Sequence, residues 1–273
     1  MTQAPTLATF AELRRFAETS PVAHACIELR AMEIASTGWD IGPEPALARA
    51  IQGHHSLMAD FAERRARAVR FFRQPDPNYA SFTSWLRDAM RETFTDDALA
   101  IYLHPPKRPG AGALPGSNVA ALGILDGALI EPVLSANGKT AGYAQHSIAV
   151  QRRTTVEMIT SPLSGAPEAL YGCAQMEYPV FSLRPGTPFG YSPLEEALTC
   201  DDDGGIDMAA TEAELPATFG LPLDAPGIST LPGAPEVASD RQKWLHDRLH
   251  WLAGFFNGLL EGSGMRWQWE GLD

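Results

Sequence analysis

The sequence predicts an α+β protein, with helices packed on small mixed or antiparallel sheets and an amphipathic helix near its C-terminus. Three observations carry that prediction. Apolar residues recur at helical spacing near 21–37, 47–73, 82–93 and 239–260. Short alternating stretches at 39–41, 99–103, 120–134 and 265–269 read as strands. Clusters of Gly and Pro separate many of these segments.

Taken in order, the first helix starts at Ser20-Pro21, a capping serine followed by a proline suited to the first helical position. Val22, Cys26, Leu29 and Glu33 form its stripe, flanked by Ala25, Ile27 and Met32, and Gly38 ends it. Trp39-Asp40-Ile41 follows as a strand. A second helix runs from about Leu47 to Arg73, stopped by the two prolines of QPDP. A third covers Phe82 to Thr93 and leads into a strand at Leu99–Leu103. Residues 104–118 form a Pro/Gly-rich loop.

A β region then alternates through Ala120, Leu122 and Ile124, turns at Asp126-Gly127 and continues from Leu129 to Leu134. Asn137-Gly138 is a two-residue hairpin signal, because both residue types tolerate positive φ. Further strands are expected at 145–150, 154–159 and 176–184. Ser192-Pro193-Leu194-Glu195 has the form of a capping box. Between Cys200 and Pro235 the pattern lapses into an acidic, Pro/Gly-rich connection with a helix fragment near 208–215. The last helix, Ser239 to Leu260, precedes Gly262, Gly264 and a closing strand, Met265-Arg266-Trp267-Gln268-Trp269. The organisation expected is a body over 1–200, a connection over 201–238 and a C-terminal helix and strand over 239–273.

A chain of 273 residues suits one large domain or two small ones and buries roughly 75% of its unfolded surface, so its core needs neither disulfide nor metal. The net charge is −12, which argues against a general phosphate-binding surface. The imbalance lies in the second half: residues 1–150 hold 14 basic and 15 acidic side chains, residues 151–273 hold 7 and 18. Cys26, Cys173 and Cys200 are widely spaced, which points to a reducing compartment. No apolar run approaches a membrane span, so a soluble intracellular protein is expected.

Candidate chemistry is sparse. His246 and His250 stand four apart, the spacing of a shared metal site. Asp247 holds the place of a zincin glutamate, no third ligand is evident, and Arg248 beside the pair repels a cation, so the expected reading is a solvated helix face. Asp201, Asp203, Asp207 and Glu212 match positions 1, 3, 7 and 12 of a calcium loop, but Ile206 occupies the position that needs glycine. A solvated acidic loop is expected there. Arg64, Arg65, Arg67, Arg70 and Arg73 make one helix basic, either as a solvated face or as a contact with nucleic acid or an acidic neighbour. No catalytic motif is present, and no catalytic residue, cofactor or metal ligand is assigned.

Four segments resemble those of tailed-bacteriophage portal proteins, in the same order and at similar spacing over residues 16–198. FAETSPVAHACIELRAMEIASTGWDI at 16–41 is similar to the family's N-terminal helix and strand. FTSWLRDAMRETFTDDALAIYLHP at 82–105 resembles its next helix, followed by a strand that begins near an acidic residue. VAALGILDGALIEPVLSANGKT at 119–140 resembles its D-G-x-x-I-x-P hairpin, with Gln145 at about the family's interval. YPVFSLRPGTPFGYSPLEEAL at 178–198 is similar to its G-x-S-P-x-E turn and helix, matched by Gly190, Ser192, Pro193 and Glu195.

The resemblance implies a portal-like wing fold and a structural, non-enzymatic role. It implies a homo-oligomeric ring, commonly of twelve subunits, at a virion capsid vertex, assembled in the host cytoplasm. Double-stranded DNA would pass through without sequence specificity, and terminase, capsid and tail-connector proteins would be partners; no membrane is involved. The chain departs from the family in its shorter length and in residues 200–235, where long channel-lining helices are usual. A compact portal, a prophage remnant and an N-terminal piece remain open, as do a head-closure adaptor and a metal-dependent hydrolase built on His246 and His250.

Overall fold

Two capped helices open the described chain. Thr9 and Glu12 form a capping box on α1 (Phe10–Thr19); Ser20 closes α1 and caps α2 (Pro21–Ala35), with Pro21 in the first turn. The helix expected at Ser20 is therefore the second helix, and the Thr9–Glu12 box was the missed signal. The computed structural model describes residues 9–108, 112–146, 167–182, 189–199, 201, 206–221 and 238–270, with backbone only for 238–245. The expected strand at 154–159 and most of that at 145–150 lie outside the described residues.

The buried face of α2 is Ala23, Cys26, Ile27, Arg30, Ala31 and Ile34, while Leu29 and Met32 point outward. This corrects the stripe read through Leu29 and Glu33. The rotation has a cause: Arg30 donates from Nε and Nη2 to the carbonyls of Phe219 and Gly220 at 2.7 and 2.6 Å. These carbonyls end α7 (Met208–Thr218), and helix ends need such donors. α7 runs two residues past Pro216 and ends.

The long helix expected over 47–73 is two, α3 (Pro45–Ile51) and α4 (His55–Arg73), separated at Gly53, whose φ is +81°. α4 seats Phe61, Ala68 and Phe72 in the core. Its arginines divide. Arg64 donates to Ser263 O (2.8 Å) and Arg65 to Ile41 O (2.6 Å), whereas Arg67, Arg70 and Arg73 are exposed. A uniformly solvated basic face is thus half right.

Three antiparallel sheets follow. β1 (Trp39–Pro43) pairs with the closing strand β8 (Met265–Trp269), setting Ile41 opposite Trp267. β2 (Ala100–His104) lies between β3 (Ala121–Leu125) and the two-residue β7 (Met176–Glu177). β5 (Thr140–Gln145) lies between β4 (Ile130–Leu134) and β6 (Ala169–Gly172). The Asp126-Gly127 turn does not join neighbouring strands. A 3-10 turn at Gly127–Leu129 carries the chain from one sheet to the next. The Asn137-Gly138 signal does mark the β4–β5 hairpin, but only Gly138 has positive φ, and Ser135 N–H donates to Lys139 O to close a longer loop.

The main core joins α1, α2, α4, α5 (Phe82–Thr95), α8 (Ala238–Leu259) and the β1–β8 pair. At its centre Trp39 stacks on Trp267 at 4.4 Å, with Phe72, Phe82 and Phe256 edge-on or tilted around them. Leu249, Leu252, Phe256, Leu260, Trp267 and Trp269 therefore share a core with the helices of the N-terminal body. A second cluster, Phe10, Ala98, Ala100, Ala128, Ile130, Met176 and Tyr178, lies beneath the two three-stranded sheets. Among the described residues no helix is long and apolar enough to cross a membrane.

Candidate functional site

Three of the four segments that carry the portal resemblance meet at one short link, Thr95 to Leu99, between α5 and β2; the link lies in one of them and two dock on it. α5 closes at Asp96, whose N–H donates to Glu92 O at 3.0 Å. Asp97 then takes φ +49°, the one non-glycine residue with positive φ among the described residues. Aspartate is among the few residue types that tolerate this region. The link is buried, so its two carboxylates and its carbonyls must find partners inside the protein.

Asp96 faces α1. Its Oδ2 accepts from Arg14 Nε at 2.6 Å, and the same guanidinium reaches Glu92 at 2.8 Å and Asp126 at 2.7 Å. Burial works against the Arg14 cation, but Asp96, Glu92 and Asp126 together hold its pKa above the ordinary value. Three carboxylates around one guanidinium leave negative charge in excess. Burial pushes Glu92 up to about 7, Asp96 and Asp126 add to the shift, and Arg14 opposes it.

Asp126-Gly127, the centre of the D-G-x-x-I-x-P segment, docks on the same link. Asp126 binds Arg14 and caps the 3-10 turn by accepting from Ala128 N–H at 3.0 Å. Gly127 lies against Ala98: a Cβ at this position would be 1.2 Å from the Ala98 carbonyl oxygen. No other residue fits there without moving the backbone.

The Phe189-Gly190-Tyr191-Ser192-Pro193 segment docks through Asp97. The Asp97 carboxylate accepts from the N–H groups of Phe181 and Ser182 at 3.3 Å each, and Ser182 O accepts from Tyr191 N–H at 2.8 Å. This turn ends β7 early and corrects the strand expected over 176–184, of which 183–184 lie outside the described residues. Phe189 meets Phe10 of α1 edge-on at 5.7 Å. Ser192 caps the short α6 (Pro193–Glu196) by accepting from Glu195 N–H at 3.0 Å.

Arg248 completes the junction from α8. It is 1% exposed, with its guanidinium 4.6 Å from the Phe94 ring centre and 4.5 Å from that of Phe181. Its Nε reaches Thr93 Oγ1 at 3.4 Å. Burial pushes its pKa down to about 10 while Asp97 pulls it back up, so it remains a cation at neutral pH. Arg248 therefore points into the core, which corrects its reading as a charge beside the histidine pair. Chemically the junction is a brace that locks α1, α5, α8 and both motif segments together.

His246 and His250 project outward as expected for a solvated face. Their rings stack at 5.8 Å, and the His246 side chain is 72% exposed. Among the described residues no group of three or more His, Cys, Asp and Glu is arranged to hold a metal ion. Two acidic positions of the calcium-loop pattern serve elsewhere. Asp207 caps α7 through Ala210 N–H at 3.0 Å, and Glu212 accepts from Ser20 Oγ at 2.5 Å. Asp201 is exposed, and Asp203 lies outside the described residues. Sequence reasoning missed Arg14 and Asp97 and gave Arg248 the wrong surroundings. The one available signal was the acidic residue at the start of the strand in the second portal-like segment.

No protein-family model matches the sequence, and no curated protein matches it significantly. Similarity appears at the level of structure. A chain in the neck of an empty gene transfer agent particle, computed with C6 symmetry, matches 96% of this chain and 84% of its own length, with TM-score 0.55 and 14% identity. A chain in the virion of the native particle matches 96% and 83%, with TM-score 0.55 and 13% identity. A chain in the native particle's neck, computed with C12 symmetry, matches 96% and 83%, with TM-score 0.56 and 13% identity. The fold described above, nearly end to end, is the fold of these particle chains.

Proposed function

We propose that this chain is a structural, non-enzymatic subunit of the head–tail region of a phage-like particle, and specifically a portal-type ring subunit. The observation that carries the reading is the likeness to gene transfer agent chains over 96% of the chain. Independent support comes from the junction, where two of the portal-like segments dock on the α5–β2 link through Gly127 and Gly190, positions that tolerate no side chain. In this reading copies assemble into a closed ring at a capsid vertex, in the host cytoplasm. Duplex DNA passes through without sequence-specific contacts, and terminase, capsid and tail-connector proteins dock on the ring. The net charge of −12 suits a conduit, because repulsion keeps the duplex from adhering to its wall.

A head-closure adaptor is the second reading. It is favoured by α7, which ends at Thr218 where a portal would continue into long channel helices. Light scattering after size-exclusion chromatography, with negative-stain imaging of the same peak, tests both readings. A closed ring with a central hole is expected, and a monomer at every concentration overturns the ring. Terminase retained by the ring supports the portal; a ring that binds a separately prepared portal and ignores terminase identifies the adaptor.

A further inference from the structure

The outward face of α4 and a cleft elsewhere on the same chain have complementary charge. Arg67, Arg70 and Arg73 follow one another at three-residue intervals, so they form a ridge about 9 Å long on the helix. All three are exposed, and none has an ion pair among the described residues. In a chain with 21 basic and 33 acidic side chains, such a concentration of free cations is unusual.

The cleft lies between α1, α2 and α5, has a volume of about 370 Å³, and includes Arg14, Glu18, Glu28, Arg91 and Glu92 in its lining. Its two arginines are already engaged, Arg14 by Glu92, Asp96 and Asp126, and Arg91 by Glu28 and Asp88. Glu18 stands exposed at the rim. The walls thus hold more carboxylates than guanidiniums, and the space admits one or two long side chains. Ala17 and Ile27 supply apolar surface for the alkyl stems of arginines.

We propose that the cleft between α1, α2 and α5 is the socket for the α4 arginine ridge of a neighbouring copy of this chain. Two different surfaces meet in this contact, so it is heterologous and propagates from subunit to subunit until a ring closes. The proposal rests on the ring reading above and gives it a specific interface. Burial, with Asp96 and Asp126 adding and Arg14 opposing, leaves Glu92 hard to ionise in the isolated chain, and the ridge brings further positive charge beside it.

The test uses two variants of the full chain. R67E/R70E/R73E has a native socket and a reversed ridge; E18K/E28Q/E92Q has a native ridge and a neutralised socket. Each is expected to weaken assembly at least about tenfold at roughly 0.1 M salt, while K107E/R108E/K139E, with the same charge change at exposed sites off α4, assembles normally. Mixing the first two should give a one-to-one dimer and nothing larger, since each supplies only one working face. Thermal melting of every variant checks folding, and E92Q alone, nearly isosteric, serves if the triple socket variant melts early.

A ring that survives ridge reversal overturns the interface and leaves the ring reading standing. Open head-to-tail dimers of the native chain, lost in both variants, support the interface and remove the closed ring. A native chain that never self-associates, with no dimer in the mixture, overturns both. Loss of duplex-DNA retention on ridge reversal, with assembly intact, overturns the proposal in favour of a nucleic-acid contact.

Discussion

Asp97 and Gly190 occupy adjoining space: a Cβ placed on Gly190 would lie 1.8 Å from Asp97 Oδ2. The relationship explains a glycine and an aspartate together. Asp97 must enter the left-handed region to aim its carboxylate at the N–H groups of Phe181 and Ser182, and Gly190 must lack a side chain so that the carboxylate can stay. Gly190→Ala should therefore destabilise the protein by about 2–4 kcal/mol, a strained close contact in a buried site. Asp97→Ala should cost about 1–3 kcal/mol by leaving two N–H groups unsatisfied. The double variant should cost less than the sum, because the two residues are in contact. Denaturant unfolding of the four proteins measures the coupling; strict additivity would contradict the geometry.

Arg248 offers a contrast between two substitutions. Arg248→Ala removes the guanidinium between Phe94 and Phe181 and opens a cavity, with an expected loss of about 3–5 kcal/mol. Arg248→Met restores most of the volume without a buried charge and should cost markedly less. Chemical denaturation of both variants decides the point. Equal losses would mean that the charge, rather than the packing, holds α8 to the junction.

The Glu92 carboxyl gives the junction a pH dependence of known sign. Its folded pKa is raised from 4.5 to about 7 by burial, with Asp96 and Asp126 adding and Arg14 opposing. The folded state therefore holds more protons than the unfolded state between these values, and this group's contribution to stability falls as pH rises from about 4.5 through 7. Glu18, His24, Glu28 and Arg91 share the cleft. Glu92→Gln should change stability little at pH 5 and raise it by about 1–2 kcal/mol at pH 8. Melting temperatures at the two values test it, and a variant less stable at pH 8 would refute the assignment.

The C-terminal strand is integral to the core. Met265, Trp267 and Trp269 are 1%, 1% and 6% exposed, and β8 supplies the only partner strand of β1 among the described residues. Trp267→Ala should cost about 3–5 kcal/mol. A chain ending at Gly262 should lose its cooperative thermal transition altogether. A truncated protein that melts sharply near the native temperature would show the strand to be an appendage.

Most helices were legible in the sequence because their signals are local. Ser20-Pro21 and Ser192-Pro193 mark helix starts by chemistry confined to a few residues, and the structure places helices at both. The closing Met265–Trp269 alternation became a strand with Met265, Trp267 and Trp269 inward. The break at Gly53 was missed because one glycine within an apolar-periodic run does not by itself announce a positive φ.

Sequence alone thus determined the α+β class, the helix starts at Ser20-Pro21 and Ser192-Pro193 and the turn at Gly138, all consequences of backbone sterics and capping within a few positions. It also placed Asp126-Gly127 and Gly190-Ser192-Pro193 in recognisable order without giving their purpose. Only the tertiary structure decided that Arg14 lies 82 residues from its Asp96 partner, that Arg248 turns inward to Thr93 across 155 residues, and that β1 pairs with β8. Periodicity cannot predict those pairings. A buried arginine or aspartate is tolerated only where distant segments supply opposite charge and hydrogen bonds, and which segments meet is settled by packing the whole core.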